Sequence, residues 1–328
     1  MIKFKLLTVN KKLIHNIANL SKVVHGVNHI NSNIKHLTKK HLSKKNSTSK
    51  VLLGYHKNFL ACVLFLLKKN TSLFKSSYIY YLCDLMIHHK FRRGMLTLDK
   101  VMNNRAFKNI KRPVIHTSSN KTDYIYKKIF NYKIIKTYKT FTISSKKILK
   151  NNIILKLFKD SNKISKNLVI NLNRYEDFKK NLESVHNKNF FLYIDNKNYF
   201  DQYVKNNSSY LFINLKFSRK NFGYFILNRF KGNVYIICDF KFNFEIKTKQ
   251  LILVMYEIIF FLKIKRNFVI MEDNKKIFNF CLKNNLDLSP CNYNFSYPVF
   301  LRNLTTSNVN LIKKISFAFC DFDSYYIY

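Results

Sequence analysis

Acidic residues, glycine, proline and tryptophan are scarce in this chain. Its 328 residues include 17 acidic against 59 basic side chains, five glycines, three prolines and no tryptophan. So few carboxylates leave little material for a two-metal centre, and five dispersed glycines form no phosphate-binding loop of the nucleotide-binding type. No nucleophile elbow and no His-Glu-x-x-His helix is present. We therefore predict no catalytic residues, no metal site, no cofactor and no enzyme activity.

The spacing of the cysteines and histidines also argues against a metal. No two of the six cysteines lie two to four residues apart, which excludes zinc-knuckle spacing. Cys62, Cys238 and Cys281 lie in apolar runs and are predicted to be buried free thiols. The histidine pairs 25/29 and 88/89 could ligate a metal, but we favour surface or RNA-facing roles for them.

Positive charge dominates what is present. The net charge is +42, and the first acidic residue is Asp84. Such a chain repels itself unless an anion neutralises it, and a long polyanion such as RNA is the favoured partner. An anionic membrane surface is the other partner left open. The longest apolar runs, residues 59–67 and 251–262, are shorter than the roughly 20 residues that span a bilayer, so no transmembrane segment is predicted.

The richness in Lys, Asn, Ile, Phe and Tyr is typical of AT-rich codons and suggests an organelle genome. Residues 1–26 are basic and acid-free like a mitochondrial transit peptide, but they contain no arginine. We therefore predict a protein of the mitochondrial matrix that is encoded in the organelle.

The last third of the chain has a regular order of predicted elements. Aromatic and β-branched runs predict strands at residues 210–217, 222–228, 233–239, 267–271 and 286–293, and helical spacing predicts helices at 246–264 and 273–283. The order βββαβαβ is that of a ribonuclease-H-like α/β domain. Because the first strand carries no carboxylate, Asp239, Glu272 and Asp273 do not indicate a two-metal nuclease.

Residues 1–188 are predicted to be a basic N-terminal extension, and residues 189–328 the ribonuclease-H-like domain. In the extension, residues 59–67, 77–87 and 95–103 are predicted helices, and residues 36–50 a polar linker that is ordered only on a phosphate surface. Residues 121–159 alternate lysine with aromatic and β-branched side chains. That pattern fits either an arm on which RNA bases stack or a hairpin with lysine-rich edges.

Several short motifs in the last third carry a resemblance to a known family. Ile213, Phe217 and Asn221, the turn at residues 231–234, and Tyr297-Pro298 before Arg302 resemble the small-subunit ribosomal protein eleven family. The resemblance implies a structural constituent of the mitochondrial small ribosomal subunit, bound to rRNA on the platform beside other platform proteins. It implies no small-molecule substrate and Mg²⁺ only as part of the rRNA.

The residues predicted to bind rRNA comprise family positions and basic side chains on turns and near the predicted helix at 95–103. They are Arg92, Arg93, Arg105, Lys108, Lys111, Arg112, Arg219, Lys220, Asn221, Arg229, Lys231, Gly232, Asn233 and Arg302. A large-subunit or other mitoribosomal protein of similar topology is the alternative within ribosomes. A nucleic-acid-processing enzyme on the ribonuclease-H fold is the alternative outside them.

Overall fold

Strands are the main elements of the computed structural model. It describes residues 2–42, 49–71, 78–92, 95–117, 124–130, 132–160, 168–172, 192–193, 210–218, 220–230, 234–243, 246–265, 267–272, 276–286 and 296–302. The strands described are β1 (Ile2–Thr8), β2 (Lys50–His56), β3 (Phe59–Thr71), β4 (Tyr78–Ile87), β5 (Val114–Thr117), β6 (Lys133–Ser144), β7 (Leu168–Leu172), β8 (Leu192–Tyr193), β9 (Tyr210–Phe217), β10 (Lys220–Phe230), β11 (Val234–Phe242), β12 (Asn267–Glu272) and β13 (Ser296–Arg302).

Helices connect the strands. They are α1 (Lys11–His25), α2 (Ile34–His41), α3 (Met95–Met102), α4 (Arg105–Lys108), α5 (Ser145–Lys150), α6 (Asn152–Asp160), α7 (Thr248–Phe261) and α8 (Lys276–Lys283). Short 3₁₀ turns occur at Ile30–Ser32 and His89–Phe91, and a π-helical turn at Ile125–Ile129. No helix among the described residues is long and apolar enough to cross a membrane.

All the described strands belong to one sheet. Its order is β1-β2-β3-β4-β5-β13-β6-β12-β11-β10-β9-β7, and the short β8 pairs with the end of β3. Neighbouring strands are antiparallel except in two places, where β4 pairs with β5 and β11 pairs with β12 in parallel. The two parallel pairs lie on opposite sides of the central β13–β6 pair.

This order shows that the chain consists of two similar halves. The first half runs from β1 to β6, and the second runs through β7, β9, β10, β11, β12 and β13 in the same arrangement. Each half gives its last strand to the other, because β6 pairs with β12 and β13 pairs with β5. The exchanged strands also pair with each other, so the two halves share one continuous sheet.

Short sequence words repeat at matching positions of the halves. Lys-Asn-Phe occurs at residues 57–59, where β3 begins, and at residues 220–222, where β10 begins. Cys-Asp occurs at residues 83–84 within β4 and at residues 238–239 within β11. Because the same words also occur at residues 188–190 and 320–321, the internal duplication is indicated by the sheet order and not by these words.

The core lies on both faces of the sheet. Alternate residues of β2, β3 and β4 point to opposite sides: Val51, Phe65 and Tyr81 pack with α1 and α2, whereas Leu52 and Leu64 pack with the layer of α3 and α4. In the second half, α7 is buried along most of its length between the sheet and α5 and α6. Strands covered on both faces are continuous apolar runs, which is why β3 and β4 lack alternation.

The predicted fold class is wrong. Strands β9, β10 and β11 form the expected meander, and α7 and β12 follow it, but β13 leaves this group to pair with β5 and β6. The N-terminal region is not a mostly helical, extended arm, because its described residues supply seven strands of the sheet, β1 to β7. A ribonuclease-H-like domain with a basic extension is therefore replaced by a two-half mixed sheet.

Individual elements of the predicted extension also differ. Residues 59–67 and 77–87 form strands and not helices, because both faces of these strands are covered and short apolar runs do not distinguish the two states. The predicted linker at 36–50 contains most of α2, whose His36, Lys40 and His41 are buried. The helix predicted at 95–103 agrees with α3.

Two predictions fall outside the described residues. The domain boundary near residue 188 lies among undescribed residues and stays a prediction. The closing strand predicted at 286–293 lies almost wholly among undescribed residues, and only Leu286 of it is placed, buried against the α7 layer.

Two glycines allow close approach between neighbouring strands, and they provide a test of the sheet register. A methyl group at Gly223 in β10 would clash with the backbone carbonyl of Lys241 in β11, whereas one at Gly54 in β2 would meet only side-chain atoms of Ile2, Phe4 and Cys62. Because side chains rotate more readily than a paired strand moves, Gly223→Ala should lower the free energy of unfolding by about 2–3 kcal/mol and Gly54→Ala by about 1 kcal/mol. Urea denaturation measures both, and a larger loss for Gly54→Ala would contradict this register.

Candidate functional site

The parallel pair β4–β5 separates part-way along its length. Only Tyr80 and Tyr81 of β4 pair with Val114 and Ile115 of β5. Beyond that point β4 continues to Ile87, and among the described residues no strand pairs with residues 82–87 on the β5 side. Backbone groups along such a strand edge normally take a partner, so the gap between β4 and β5 is suited to a ligand that hydrogen-bonds to backbone.

A β-bulge lies in the unpaired part of β4. Val63 pairs with Met86 and Phe65 pairs with Cys83, so β4 has one residue more than β3 between these pairs. The bulge contains Asp84, whose φ of 50° lies in the left-handed region. A bulge bends its strand and re-aims the neighbouring backbone groups. The second half has the same feature in β11, where Cys238 is the residue without a partner in β10.

The Asp84 carboxylate is buried and contacts three donors. Lys40 Nζ lies 2.7 Å from Oδ2, His41 Nε2 lies 3.3 Å from the same oxygen, and Asn31 Nδ2 donates to Oδ1 at 2.9 Å. His41 Nδ1 in turn lies 3.4 Å from the buried Ser49 hydroxyl, which precedes β2. We call these five residues the Asp84 cluster. It joins the β4 bulge to the turn after α1, to α2 and to the start of β2.

Charges within the Asp84 cluster are balanced. Burial alone would raise the pKa of Asp84, but the Lys40 ammonium and the His41 hydrogen bond together hold that pKa well below its usual range. Burial lowers the pKa of His41 to about 4 despite the neighbouring carboxylate. At neutral pH His41 is therefore uncharged, donating from Nε2 to Asp84 and accepting at Nδ1 from Ser49.

A basic turn follows β4 and leads into α3. The His88 backbone N–H donates to the Ala61 carbonyl oxygen, and the His88 ring Nδ1 accepts from the Lys90 N–H at 3.2 Å. Arg92 Nε donates to the Ile87 carbonyl at 2.9 Å, while the Thr97 hydroxyl of α3 donates to the Phe91 carbonyl at 2.6 Å. Lys90 and Arg92 are exposed beside the unpaired part of β4.

A cleft of about 310 Å³ opens between α1 and the β2–β3 turn and reaches His88. Its walls combine apolar side chains with amides and one phenol, and they are Asn16, Asn19, Leu20, Val23, Tyr55, Asn58, Phe59, Leu60 and His88. Burial lowers the pKa of His88, and His89, Lys90 and Arg92 lower it further. The His88 ring is therefore neutral at neutral pH, and because Nδ1 accepts a hydrogen bond, Nε2 carries the proton.

The residues predicted to bind rRNA do not form one patch. Arg92 follows the end of β4, whereas Arg112 lies over the ring of Tyr78 at the start of that ten-residue strand, 5.0 Å from the ring centroid. Exposed Arg105, Lys108 and Lys111 lie near Arg112, on and after α4. β4 is six interstrand steps from β10, which is roughly 29 Å.

The predicted positions on β10 are also separated. Lys220 pairs with Phe217 at the beginning of the strand, and Arg229 pairs with Tyr235 near its end. The Asn221 carbonyl accepts from the side chain of Asn243. Arg302 ends β13, paired with Val114. Arg93, Arg219, Lys231, Gly232 and Asn233 lie outside the described residues. The nucleic-acid role of these positions stays a prediction.

The described cysteines and Asp239, which the sequence analysis also considered, are buried and make contacts within the protein. Cys62, Cys83, Cys238 and Cys281 are buried free thiols. Asp239 accepts from the Tyr224 hydroxyl at 2.8 Å and lies 3.2 Å from Lys241 Nζ. Within the described residues no group of three or more His, Cys, Asp or Glu side chains could hold a metal ion.

The Asp84 cluster was missed by sequence reasoning. Lys40 and Asp84 are 44 residues apart, and no short motif joins them. Two signals were available: Asp84 is the first acidic residue of a very basic chain, and the Cys-Asp word recurs at residues 238–239.

The fold of the chain is similar to that of solved structures described as GCN5-related N-acetyltransferases. One similar structure is such a protein from Anabaena variabilis ATCC 29413, with a TM-score of 0.59 and 13% identity over 95% of this chain and 74% of that one. A probable N-acyltransferase from Enterococcus faecalis V583 has a TM-score of 0.60 and 10% identity over 92% of this chain and 72% of that one.

A third similar structure is that of a tandem GCN5-related N-acetyltransferase-type protein from the clavulanic acid biosynthesis pathway. Its TM-score is 0.53 and its identity 10%, over 92% of this chain and 98% of that chain. At these identities the likeness concerns the fold alone. No family profile matches the chain, and no curated protein matches it in sequence.

These findings overturn the ribosomal interpretation. The similar structures given above are described as N-acetyltransferases, as a probable N-acyltransferase and as a tandem protein of the acetyltransferase group, and not as ribosomal proteins, so the resemblance to the ribosomal protein eleven family is wrong. Further predictions are wrong for the same reason. They are the structural role on rRNA, the ribonucleoprotein partners, the alternative of a nucleic-acid-processing enzyme, and the expectation of neither enzyme activity nor a small-molecule substrate. The predictions of a mitochondrial location and of no cofactor stay untested.

The pKa shift of His41 predicts that acid destabilises the fold. Between the ordinary histidine pKa of 6.5 and about 4, the unfolded chain binds a proton that the folded imidazole refuses, so stability falls as pH falls through this window. The shift corresponds to about 3 kcal/mol. The contribution of Asp84 is lost only at lower pH, below the usual carboxyl pKa.

Urea denaturation of the wild type and of His41→Gln at pH 7 and pH 4.5 tests this assignment. The variant should show a smaller loss of stability between the two pH values, whereas His15→Gln, at an exposed position of α1, should keep the wild-type pH dependence. Equal pH dependence in His41→Gln and the wild type would contradict it.

Proposed function

We propose that the first half of the chain is an acyltransferase site that takes its acyl group from a coenzyme A thioester and passes it to an amine. The observation that carries the proposal is the unpaired, bulged end of β4 beside β5, followed directly by a basic turn and α3. Solved structures of similar fold are described as N-acetyltransferases and as a probable N-acyltransferase, which supports the proposal.

The residues present fit the chemistry of such a donor. A pantetheine arm carries two amide groups, and the backbone of residues 82–87 offers hydrogen-bond donors and acceptors on the edge that faces the gap. The donor's phosphates require cations and backbone N–H groups. Lys90 and Arg92 are exposed beside that edge, and Arg92 contacts the Ile87 carbonyl through Nε.

The cleft between α1 and the β2–β3 turn suits the acceptor. It adjoins the same end of β4 through His88, and amide side chains of Asn16, Asn19 and Asn58 provide neutral hydrogen-bonding groups along its wall. The neutral His88 ring offers its Nε2–H as a donor to a carbonyl oxygen held there. Charge-neutral walls of this kind favour an acceptor amine in its unprotonated, nucleophilic form.

The second half is less suited to the donor. Its strands β11 and β12 also separate, after Ile236 and Val269, and its bulge is retained. However, the segment between β11 and α7 contains Glu245 and no glycine, whereas the corresponding segment of the first half contains Arg92, Arg93 and Gly94. Because arginine side chains suit a polyphosphate and a carboxylate does not, the composition of these two segments leads us to assign the function to the first half.

Isothermal titration with acetyl-CoA tests the proposal on the full chain. We expect one binding site, weakened at least about tenfold by the double substitution Lys90→Glu and Arg92→Glu, because two cations that face the phosphates become anions. The matched double substitution Lys247→Glu and Lys249→Glu, before and within α7, should leave the affinity within about twofold.

A catalytic assay completes the test. The wild type should release free thiol from acetyl-CoA faster in the presence of primary amines than in their absence. Failure of the wild type to bind acetyl-CoA, or equal weakening by the two double substitutions, would overturn the assignment to the first half.

A further inference from the structure

The Asp84 cluster lies where the two proposed substrates would meet. Asp84 belongs to the bulge on the edge proposed to hold the donor, whereas Asn31, Lys40 and His41 belong to the turn after α1 and to α2. Both of these segments pack against α1, which forms one wall of the proposed acceptor cleft. Lys40 and His41 are 7% and 1% exposed, so the cluster is inside the protein and cannot itself contact either substrate. Any effect of the cluster on the proposed site is therefore transmitted through the backbone of β4.

The backbone at Asp84 is in a conformation that most residues avoid. Its φ of 50° is in the left-handed region, which aspartate and asparagine tolerate better than other non-glycine residues. Three donors from two other segments hold the side chain, and the bulge conformation is fixed through it. Because one bulged residue changes the direction of every following N–H and C=O in the strand, residues 85–87 depend on this anchor.

We propose that Asp84 is a positioning residue for the donor arm, held by Lys40, His41 and Asn31, and that it sets the direction of the β4 backbone groups that bind the arm. The inference rests on the proposed function. It concerns the arm and not the phosphates, because the phosphate contacts come from the turn after Ile87, which is tied independently to Ala61, to the Ile87 carbonyl and to Thr97.

The second half provides an internal comparison. Asp239 occupies the matching place in the Cys-Asp word of β11 and is also buried. Its described contacts come from Tyr224 on the neighbouring strand and Lys241 on its own strand. At Asp239, therefore, the described contacts join sheet to sheet, whereas at Asp84 they join sheet to helices. Asp239→Ala is the control for a substitution that removes a buried carboxylate next to a bulge without touching the proposed site.

Two double variants isolate the positioning effect. Both replace Lys40 with Met, so that no unpaired ammonium is left in the core. One adds Asp84→Asn, which tolerates left-handed backbone and keeps an oxygen for Asn31, and the other adds Asp84→Ala, which does neither. The two variants have the same charge, but Asn keeps the size and the oxygen of the original side chain, whereas Ala removes three heavy atoms, so they differ in how firmly the bulge is held.

The measured quantity is the ratio of two affinities, for acetyl-CoA and for adenosine 3′,5′-bisphosphate, which lacks the arm. We expect the ratio to fall about tenfold in the Ala variant relative to the wild type, to recover to within about threefold in the Asn variant, and to stay unchanged in Asp239→Ala. A general loss of stability would lower both affinities together and leave the ratio unchanged.

The possible outcomes distinguish the positioning role of Asp84 from the proposed function. An unchanged ratio in the Ala variant overturns the positioning role, as does an equal fall in the Ala and Asn variants or in Asp239→Ala. Absence of acetyl-CoA binding by the wild type overturns the proposed function itself, and the inference falls with it. Wild-type binding with an unchanged ratio in the variants leaves the proposed function standing and removes only the role of Asp84.

Discussion

A buried carboxylate has to be matched by buried donors, and in this chain that requirement organises the first half. Asp84 is the first acidic residue of a chain with 59 basic and 17 acidic side chains. Removing its charge from water is costly unless geometry compensates, and one ammonium, one imidazole and one amide do so within 3.3 Å. These donors come from the turn after α1 and from α2. Satisfying the carboxylate therefore fastens the helical layer to the sheet at the β4 bulge.

The exchanged strands β6 and β13 explain how the sheet can separate between β4 and β5. Since β13 pairs with β5 and β6 pairs with β12, each half holds the edge of the other, and β5 is fixed without pairing along the whole of β4. Strands β4 and β5 can then diverge after two paired residues without leaving a loose edge. The same logic applies to β11 and β12. A gap in the middle of a continuous sheet, with rigid strands on both sides, is a pre-organised place for an extended ligand.

How much of this could be predicted depends on how far apart in sequence the interacting residues lie. The bounds of β9 and the positions of α7 and β12 follow from local pattern, because short aromatic runs and a fourteen-residue helix are decided by neighbours in sequence. Strands β3 and β4 could not be separated from helices, since burial on both faces removes alternation. The exchange of β6 and β13 depends on pairing across the two halves. In the candidate site, Arg92 was found from local charge, but Lys40 and Asp84 meet across 44 residues.

The prediction of an RNA partner was based on net charge, but net charge does not distinguish one anion from another. A charge of +42 attracts any polyphosphate, whether a nucleic acid or the adenosine and pyrophosphate end of coenzyme A, and it raises the encounter rate for both. What separates these ligands is shape. A nucleic-acid surface needs cations grouped along a face, whereas the placed arginines and lysines lie at opposite ends of β4 and of β10. An unpaired, bulged strand edge next to a single basic turn instead fits one short anionic head with an amide-bearing arm, so the proposed function rests on geometry and not on net charge.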